Sequence, residues 1–301
     1  QGPKARSTKQ KARIKRIIEM QENPINNSKR KLDMKSSKTR IGKLIIEANN
    51  IKITSNGKKD GKCLLKEFSY SFNKEDRVGI IGPNGIGKSS LLDVLSGKSL
   101  PVEGQLKIGQ TIKIGYLDQK TENLHESSKL NKKVLNFVEE VGHRIKLDKT
   151  EISASQLLEN FLFPPAQQHS PLSKLSGGEK RRLSICRMLL ASPNVILLDE
   201  PTNDLDTQTL SILEEFLDDF QGCVIIISHD RYFLDRTVDR IFNFENGYLK
   251  RFEGNYSNFI SHKKKISLEQ KQESKVAKKN KLKSSNQSKI LESNSQKKKR
   301  N

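Results

Sequence analysis

Cysteine is scarce in this chain: Cys63, Cys186 and Cys223 are isolated thiols among 301 residues, with no C-x-x-C pair. That spacing excludes a disulfide framework and a His/Cys metal cluster, and it fits reduced thiols in a cytosol-like compartment. Cys186 and Cys223 sit in apolar contexts and are expected to be packing residues. No apolar stretch reaches the roughly 18 residues of a membrane helix, so these residues encode no span. Acidic residues are scarce at both ends. Residues 1–43 hold 3 against 14 Lys/Arg, as do residues 261–301, a net of +11 in each arm. The middle, 44–260, carries a net of −1 in a chain of formal charge +21. A nearly neutral globular core between two basic arms points to a polyanionic partner, most simply nucleic acid, with merely solvated charge as the alternative. The chain opens at Gln1, without Met, in a charged helical run, and reads as a piece of something longer.

What is present centres on Gly82-Pro83-Asn84-Gly85-Ile86-Gly87-Lys88-Ser89, a G-x-x-x-x-G-K-[ST] phosphate loop. The apolar run Val78-Gly79-Ile80-Ile81 predicts a short buried strand before it, and Ser90-Leu91-Leu92 the start of a helix after it. In that context the glycines let the backbone curl, so that N–H groups and the helix N-terminus face a phosphate tail. Lys88 is placed to reach the outer phosphates and the Ser89 hydroxyl to ligate Mg²⁺.

Short strands are expected at Leu44-Ile45-Ile46, Ile51-Lys52-Ile53, Leu64-Leu65 and Phe68–Phe72, with a turn at Asn56-Gly57. Between about 120 and 172 the pattern becomes helical, at Leu130–Val138 and Leu157–Leu162, with Pro164-Pro165 breaking the second helix. Leu175-Ser176-Gly177-Gly178-Glu179 opens another helix with exposed backbone donors, a second anion site or an ordinary cap. Val195–Leu198 reads as an apolar strand ending in Asp199 and Glu200. Carboxylates at a parallel strand's C-terminal end lie at the ligand edge of an α/β sheet. Asp199 suits Mg²⁺, and Glu200 suits a general base. The buried run Val224–Ile227 leads to His229, expected beside the Val195–Asp199 strand. A terminal hairpin is expected around Asn246-Gly247. The organisation expected is a basic, partly helical linker over 1–43, an α/β domain over 44–260 and a basic, largely disordered tail over 261–301.

The ordered set of the phosphate loop, Gln119, Leu175–Glu179, Ile196-Leu197-Leu198-Asp199-Glu200-Pro201 and His229 resembles the nucleotide-binding domain of ABC ATPases. The resemblance implies a P-loop NTPase fold with a β-rich subdomain, a RecA-like core and a helical subdomain, at about 120–190. Asn203-Asp204-Leu205-Asp206 and Ser228–Asp235 resemble the soluble ABC-F branch. Gly2–Thr8, Phe161-Leu162-Phe163 and Glu253-Gly254-Asn255-Tyr256 resemble its Uup-like subfamily, across roughly residues 1–260. The resemblance implies a cytoplasmic ATPase in which Gln119 senses Mg²⁺ and phosphate and His229 acts as switch histidine. It implies that the loop through Ser90 cradles ATP, and that Ser176, Gly177 and Gly178 contact ATP on a facing domain. Asp206 would lie at the dimer seam. The facing domain would be a first nucleotide-binding half of the same protein or a second copy. The ribosome and its RNA are the implied partners; DNA, or a transporter's membrane subunit, is the alternative. Near 57–63, where family members often stack an aromatic on adenine, this chain offers none.

Overall fold

The computed structural model describes residues 44–118, 131–147, 150–203 and 205–266. The basic arm over 1–43, Gln119, the start of the predicted Leu130 helix and the tail beyond 266 lie outside them. The elements in chain order are β1 (Leu44–Thr54), β2 (Cys63–Asn73), β3 (Arg77–Ile81), α1 (Lys88–Leu95), β4 (Glu103–Ile108) and β5 (Ile114–Leu117). Then come α2 (Val134–Glu139), β6 (Arg144–Leu147), β7 (Thr150–Ser153), α3 (Ala154–Asn160), α4 (Pro165–Gln168) and α5 (Gly177–Leu190). The last are β8 (Val195–Asp199), α6 (Thr207–Asp219), β9 (Cys223–Ile227), α7 (Arg231–Thr237), β10 (Arg240–Glu245) and β11 (Tyr248–Glu253). The chain divides after Tyr256; in the second unit residues 257–266 are helical.

Two sheets share one core. A three-stranded antiparallel sheet has the order β2-β1-β4, and a six-stranded sheet the order β11-β10-β3-β9-β8-β5. The latter is parallel from β10 to β5, with β11 antiparallel at its edge. β8 and β9 are buried at every position, which is why both read as unbroken aliphatic runs rather than alternating ones. β2 alternates from Phe68 to Phe72, and a slip in its pairing with β1 between Leu65 and Phe68 brings Leu65 into the same core. The rings of Phe68, Tyr70 and Phe72 meet Phe242 of β10 at centroid distances of 5.8, 5.0 and 6.3 Å, joining the two sheets. At the N-terminal end of β10, Arg240 binds both Asp76 and Glu253, at 3.0 and 2.9 Å. Burial pushes the neighbouring Tyr70 hydroxyl well above its usual range.

Several sequence expectations merge or shift. The two strands expected within 44–53 are one, interrupted at Asn50, which takes a left-handed φ of 47°. The register slips there, and the Asn50 N–H donates to Ser69 Oγ at 2.8 Å, away from the ladder. Leu64-Leu65 and Phe68–Phe72 likewise form a single strand. The region between β5 and β8 holds an unexpected hairpin, β6–β7. Ser153 ends that hairpin and caps α3 through a box with Gln156, so strand and helix meet at one residue. Pro165 does not break a helix: α3 ends at Asn160, and Pro165 is the first residue of α4, where its missing N–H costs nothing.

Replacing Phe242 by Ala should cost about 3–5 kcal/mol, the range for truncating a fully buried ring, read as a lower urea midpoint. A second effect concerns α6, whose N-cap Asp206 accepts the Thr209 N–H at 2.7 Å and its hydroxyl at 3.1 Å. The Thr209 N–H holds the Asp206 carboxyl below its ordinary value. A depressed folded-state pKa gives stability that is present above the unfolded value and lost as pH falls through the folded one. Asp206→Ala should therefore destabilise by about 1 kcal/mol at pH 7, with the gap from wild type closing below about pH 4, measured by unfolding across pH.

Candidate functional site

Three adjacent parallel strands carry the site. Ile80 of β3 pairs with Ile227 of β9, and Ile227 pairs with Asp199 of β8, so the three strands end within one residue of one another. The phosphate loop leaves β3, Glu200 follows β8, and His229 lies two residues beyond β9. The expected adjacency of His229 to the Val195–Asp199 strand therefore holds.

The loop between β3 and α1 turns on close packing at two glycines. A Cβ on Gly82, at φ 153°, would lie 2.7 Å from Phe244 Cβ; one on Gly87, at φ 112°, would lie 2.8 Å from Leu64 Cβ. Neither clash can be relieved by turning a flexible side-chain end, so glycine is required at both. Gly87 also precedes the first residue of α1, and no side chain caps that terminus. Its opening N–H groups face the loop rather than a capping oxygen.

Lys88, the first residue of α1, is buried at 7% exposure and folds back over the loop. Its ammonium donates to the carbonyls of Gly82 and Pro83 at 2.8 and 3.1 Å. It also lies 3.3 Å from His229 Nε2. That ring nitrogen is 2.8 Å from Asn84 Oδ1 and 3.4 Å from Glu200 Oε1. The His229 backbone N–H donates to Glu200 Oε2 at 3.2 Å. Glu200, just past β8, takes a left-handed φ of 47°, uncommon for a residue other than glycine, and its own N–H donates to the Ile227 carbonyl at 2.9 Å. Both oxygens of its carboxylate thus meet His229.

Two carboxylate oxygens at this point, Asp199 Oδ1 and Glu200 Oε1, are buried without a hydrogen-bond partner. The 3.4 Å approach of His229 Nε2 to Glu200 Oε1 is an ion-pair contact, not an aligned hydrogen bond. The Ser89 hydroxyl lies beside the Asp199 carboxylate. Burial raises the Asp199 carboxyl, with Ser89 and Lys88 partly opposing it. Burial likewise raises Glu200, against the pull of His229 and Lys88. Lys88 is lowered by the same burial, and the two carboxylates offset part of that.

The remaining predicted residues fall in three places, apart from Gln119. Pro83, Asn84, Gly85, Ile86 and Ser90 lie in the same loop and first helical turn. Ser176, Gly177 and Gly178 stand elsewhere, at the N-terminus of α5. There the Ser176 hydroxyl accepts the Glu179 N–H, and the Glu179 carboxylate accepts the Ser176 N–H at 2.7 Å. Ser176 is thus a helix cap as well as a candidate anion contact, while the space over Gly177 is open. Asp206 caps α6 and pairs with Arg182 of α5 at 3.0 Å. Gln119 lies outside the described residues; its neighbour Asp118 pairs with Lys98 at 2.8 Å. Sequence reasoning did not single out Arg181, which is 4% exposed and donates to the carbonyls of Asp118 and Asp199. Nothing in the run Lys180-Arg181-Arg182 tells which guanidinium turns inward. Among the described residues no group of three or more His, Cys, Asp or Glu side chains could hold a metal by itself, and no helix is long and apolar enough to cross a membrane.

Residues 65–203 match the family described as ABC transporter. The chain is 47% identical over 280 residues to an uncharacterised ABC transporter ATP-binding protein, YfmR, of Bacillus subtilis, covering 92% of this chain and 43% of that protein. It is 35% identical to the ATP-binding protein Uup of Haemophilus influenzae, covering 85% and 39%. It is also 35% identical to the energy-dependent translational throttle protein EttA of Escherichia coli K12, covering 88% and 47%. The chain thus spans less than half the length of these relatives. A dimeric, post-hydrolysis structure of an ATP-binding cassette bound to ADP and Pi superposes with a TM-score of 0.55 at 20% identity, covering 69% of this chain and 98% of that one. The sheet order, the glycine loop and these relationships agree, and the chain is an ABC ATP-binding cassette with relatives of the ABC-F type.

Proposed function

We propose that this chain binds and hydrolyses ATP with Mg²⁺ at the phosphate loop, as one cassette of an ABC-F protein that acts on the ribosome. The observation that carries the chemistry is the pair of unpartnered, buried carboxylate oxygens on Asp199 and Glu200 beside Lys88 and Ser89. A buried carboxylate oxygen without a partner costs several kcal/mol unless a cation or a donor meets it. A hydroxyl, a carboxylate and the glutamine at 119 form an oxygen-rich set suited to Mg²⁺, which takes few protein ligands and completes its shell with water and substrate phosphate. Ser89, Asp199 and Gln119 would hold the ion, which neutralises charge on the phosphate oxygens when bound.

The chain's own groups supply the rest. Amides of Gly85–Ser89 and the uncapped start of α1 face the phosphate tail. The Lys88 ammonium exchanges two loop carbonyls for phosphate oxygens, a gain because those carbonyls are weaker acceptors than an anion. Glu200, raised by burial, orients the attacking water and takes its proton. His229 Nε2 reaches the same point from the neighbouring strand. Ser176, Gly177 and Gly178 serve a facing cassette, from a second copy or from the part of the protein outside this chain. A relative that is itself named a translational throttle supports the ribosomal reading, and so do the two basic arms.

Lys88→Ala should weaken binding of a fluorescent ATP analogue at least tenfold. Glu200→Gln should keep that binding while turnover drops about 10²–10⁴-fold; wild-type turnover in that variant would remove Glu200 from the mechanism. Co-sedimentation of the Glu200→Gln protein with ribosomes in ATP should be strong at low salt and fall steeply as salt rises. Binding to branched DNA in place of ribosomes across the same series would move the partner to the DNA alternative.

A further inference from the structure

The Arg181 guanidinium links three segments that the sequence keeps far apart. Its helix, α5, begins at Gly177, just after the Ser176 cap. One of its terminal nitrogens donates to the carbonyl of Asp118, the residue before Gln119. The other reaches the carbonyl of Asp199, at the end of β8, at 3.4 Å. The side chain is buried, 4% exposed. A buried guanidinium is costly to desolvate, so its bonds must be held in fixed geometry. Its rigid fork can span two carbonyls at once, which a lysine cannot. The next residue, Arg182, turns to the other side and pairs with Asp206. The segment at Asp118 is held from its far side by Lys98, whose ammonium also lies 4.2 Å from the Tyr116 ring centroid. The chain just ahead of Gln119 is therefore fixed between α1's following loop and α5.

We infer that Arg181 is a positioning residue: it ties the helix that follows Ser176-Gly177-Gly178 to the backbone that presents Gln119 and Asp199. This rests on the ATPase reading above. A displacement of α5, such as a facing cassette would impose at its N-terminus, is transmitted by this fork to two backbone carbonyls of the phosphate site. Its action on the site runs through these two carbonyls.

The test compares wild type, Arg181→Lys and Arg181→Met. Lysine keeps the charge and reaches one carbonyl; methionine keeps the volume of the stem and loses every donor. Fluorescent ATP-analogue affinity, turnover and amide hydrogen exchange are read on each. The expected result is affinity within about threefold of wild type, turnover lowered at least tenfold in Arg181→Met and less in Arg181→Lys. Exchange should quicken in peptides covering 114–118 and 199–203, with 223–227 unchanged. Should Arg181→Met not fold, Arg181→Lys carries the same comparison, with slower turnover and faster exchange at 114–118. Unchanged exchange at both segments, or affinity and turnover lost together with uniformly faster exchange, overturns the inference. Absence of analogue binding in wild type would instead defeat the ATPase reading, and the exchange comparison would still judge the Arg181 tether.

Discussion

Burial of like charge is the constraint from which the site follows. Asp199 and Glu200 stand side by side at the end of β8, both under a tenth exposed. Their burial raises both carboxyls, and the Lys88 ammonium beside them is itself lowered, while the buried Arg181 guanidinium donates to the backbone carbonyls of Asp118 and Asp199. Lys88 and Arg181 both donate to backbone carbonyls, and one oxygen of each carboxylate is left without a hydrogen-bond partner. Such an arrangement is costly in a resting protein, and it persists where further charge is to be received.

The fold keeps that arrangement in place by making the strands that carry it featureless. β8 is aliphatic up to Asp199 and β9 from Val224 on, both are buried throughout, and their register sets Asp199 opposite Ile227. The polar groups come only where the strands stop. The aromatic contacts between β2 and Phe242 hold the antiparallel sheet against this frame, and through Leu64 that sheet meets Gly87 of the phosphate loop. A change at the sheet junction is thus felt at the loop through one side-chain contact.

Much of this was legible in the sequence because the signals are local. A glycine loop between an aliphatic strand and a helix, an aliphatic strand ending in two acids, and a hairpin turn at Asn246-Gly247 each depend on neighbouring residues, and each lies where expected. What was not legible depends on distant packing. The left-handed φ of Glu200 has no sequence mark, since glutamate is not a residue that favours it. The inward turn of Arg181 depends on carbonyls 63 and 18 residues away. The β6–β7 hairpin was hidden because Arg144–Leu147 is too short and too charged to separate from the helical pattern around it. Pro165 was misread because a proline that ends one helix and one that starts another look alike until the intervening turn is known.

The central claim is that the triphosphate tail docks against the amides between Gly85 and Ser89, with a cation between Ser89 and Asp199. The most direct measurement is a crystal structure of the Glu200→Gln protein with ATP and Mg²⁺. The account predicts phosphate density along that loop, the Lys88 ammonium moved from the Gly82 and Pro83 carbonyls onto phosphate oxygens, and an ion within bonding distance of Ser89 Oγ. Nucleotide density elsewhere on the molecule, with Lys88 still on the two carbonyls, would contradict it.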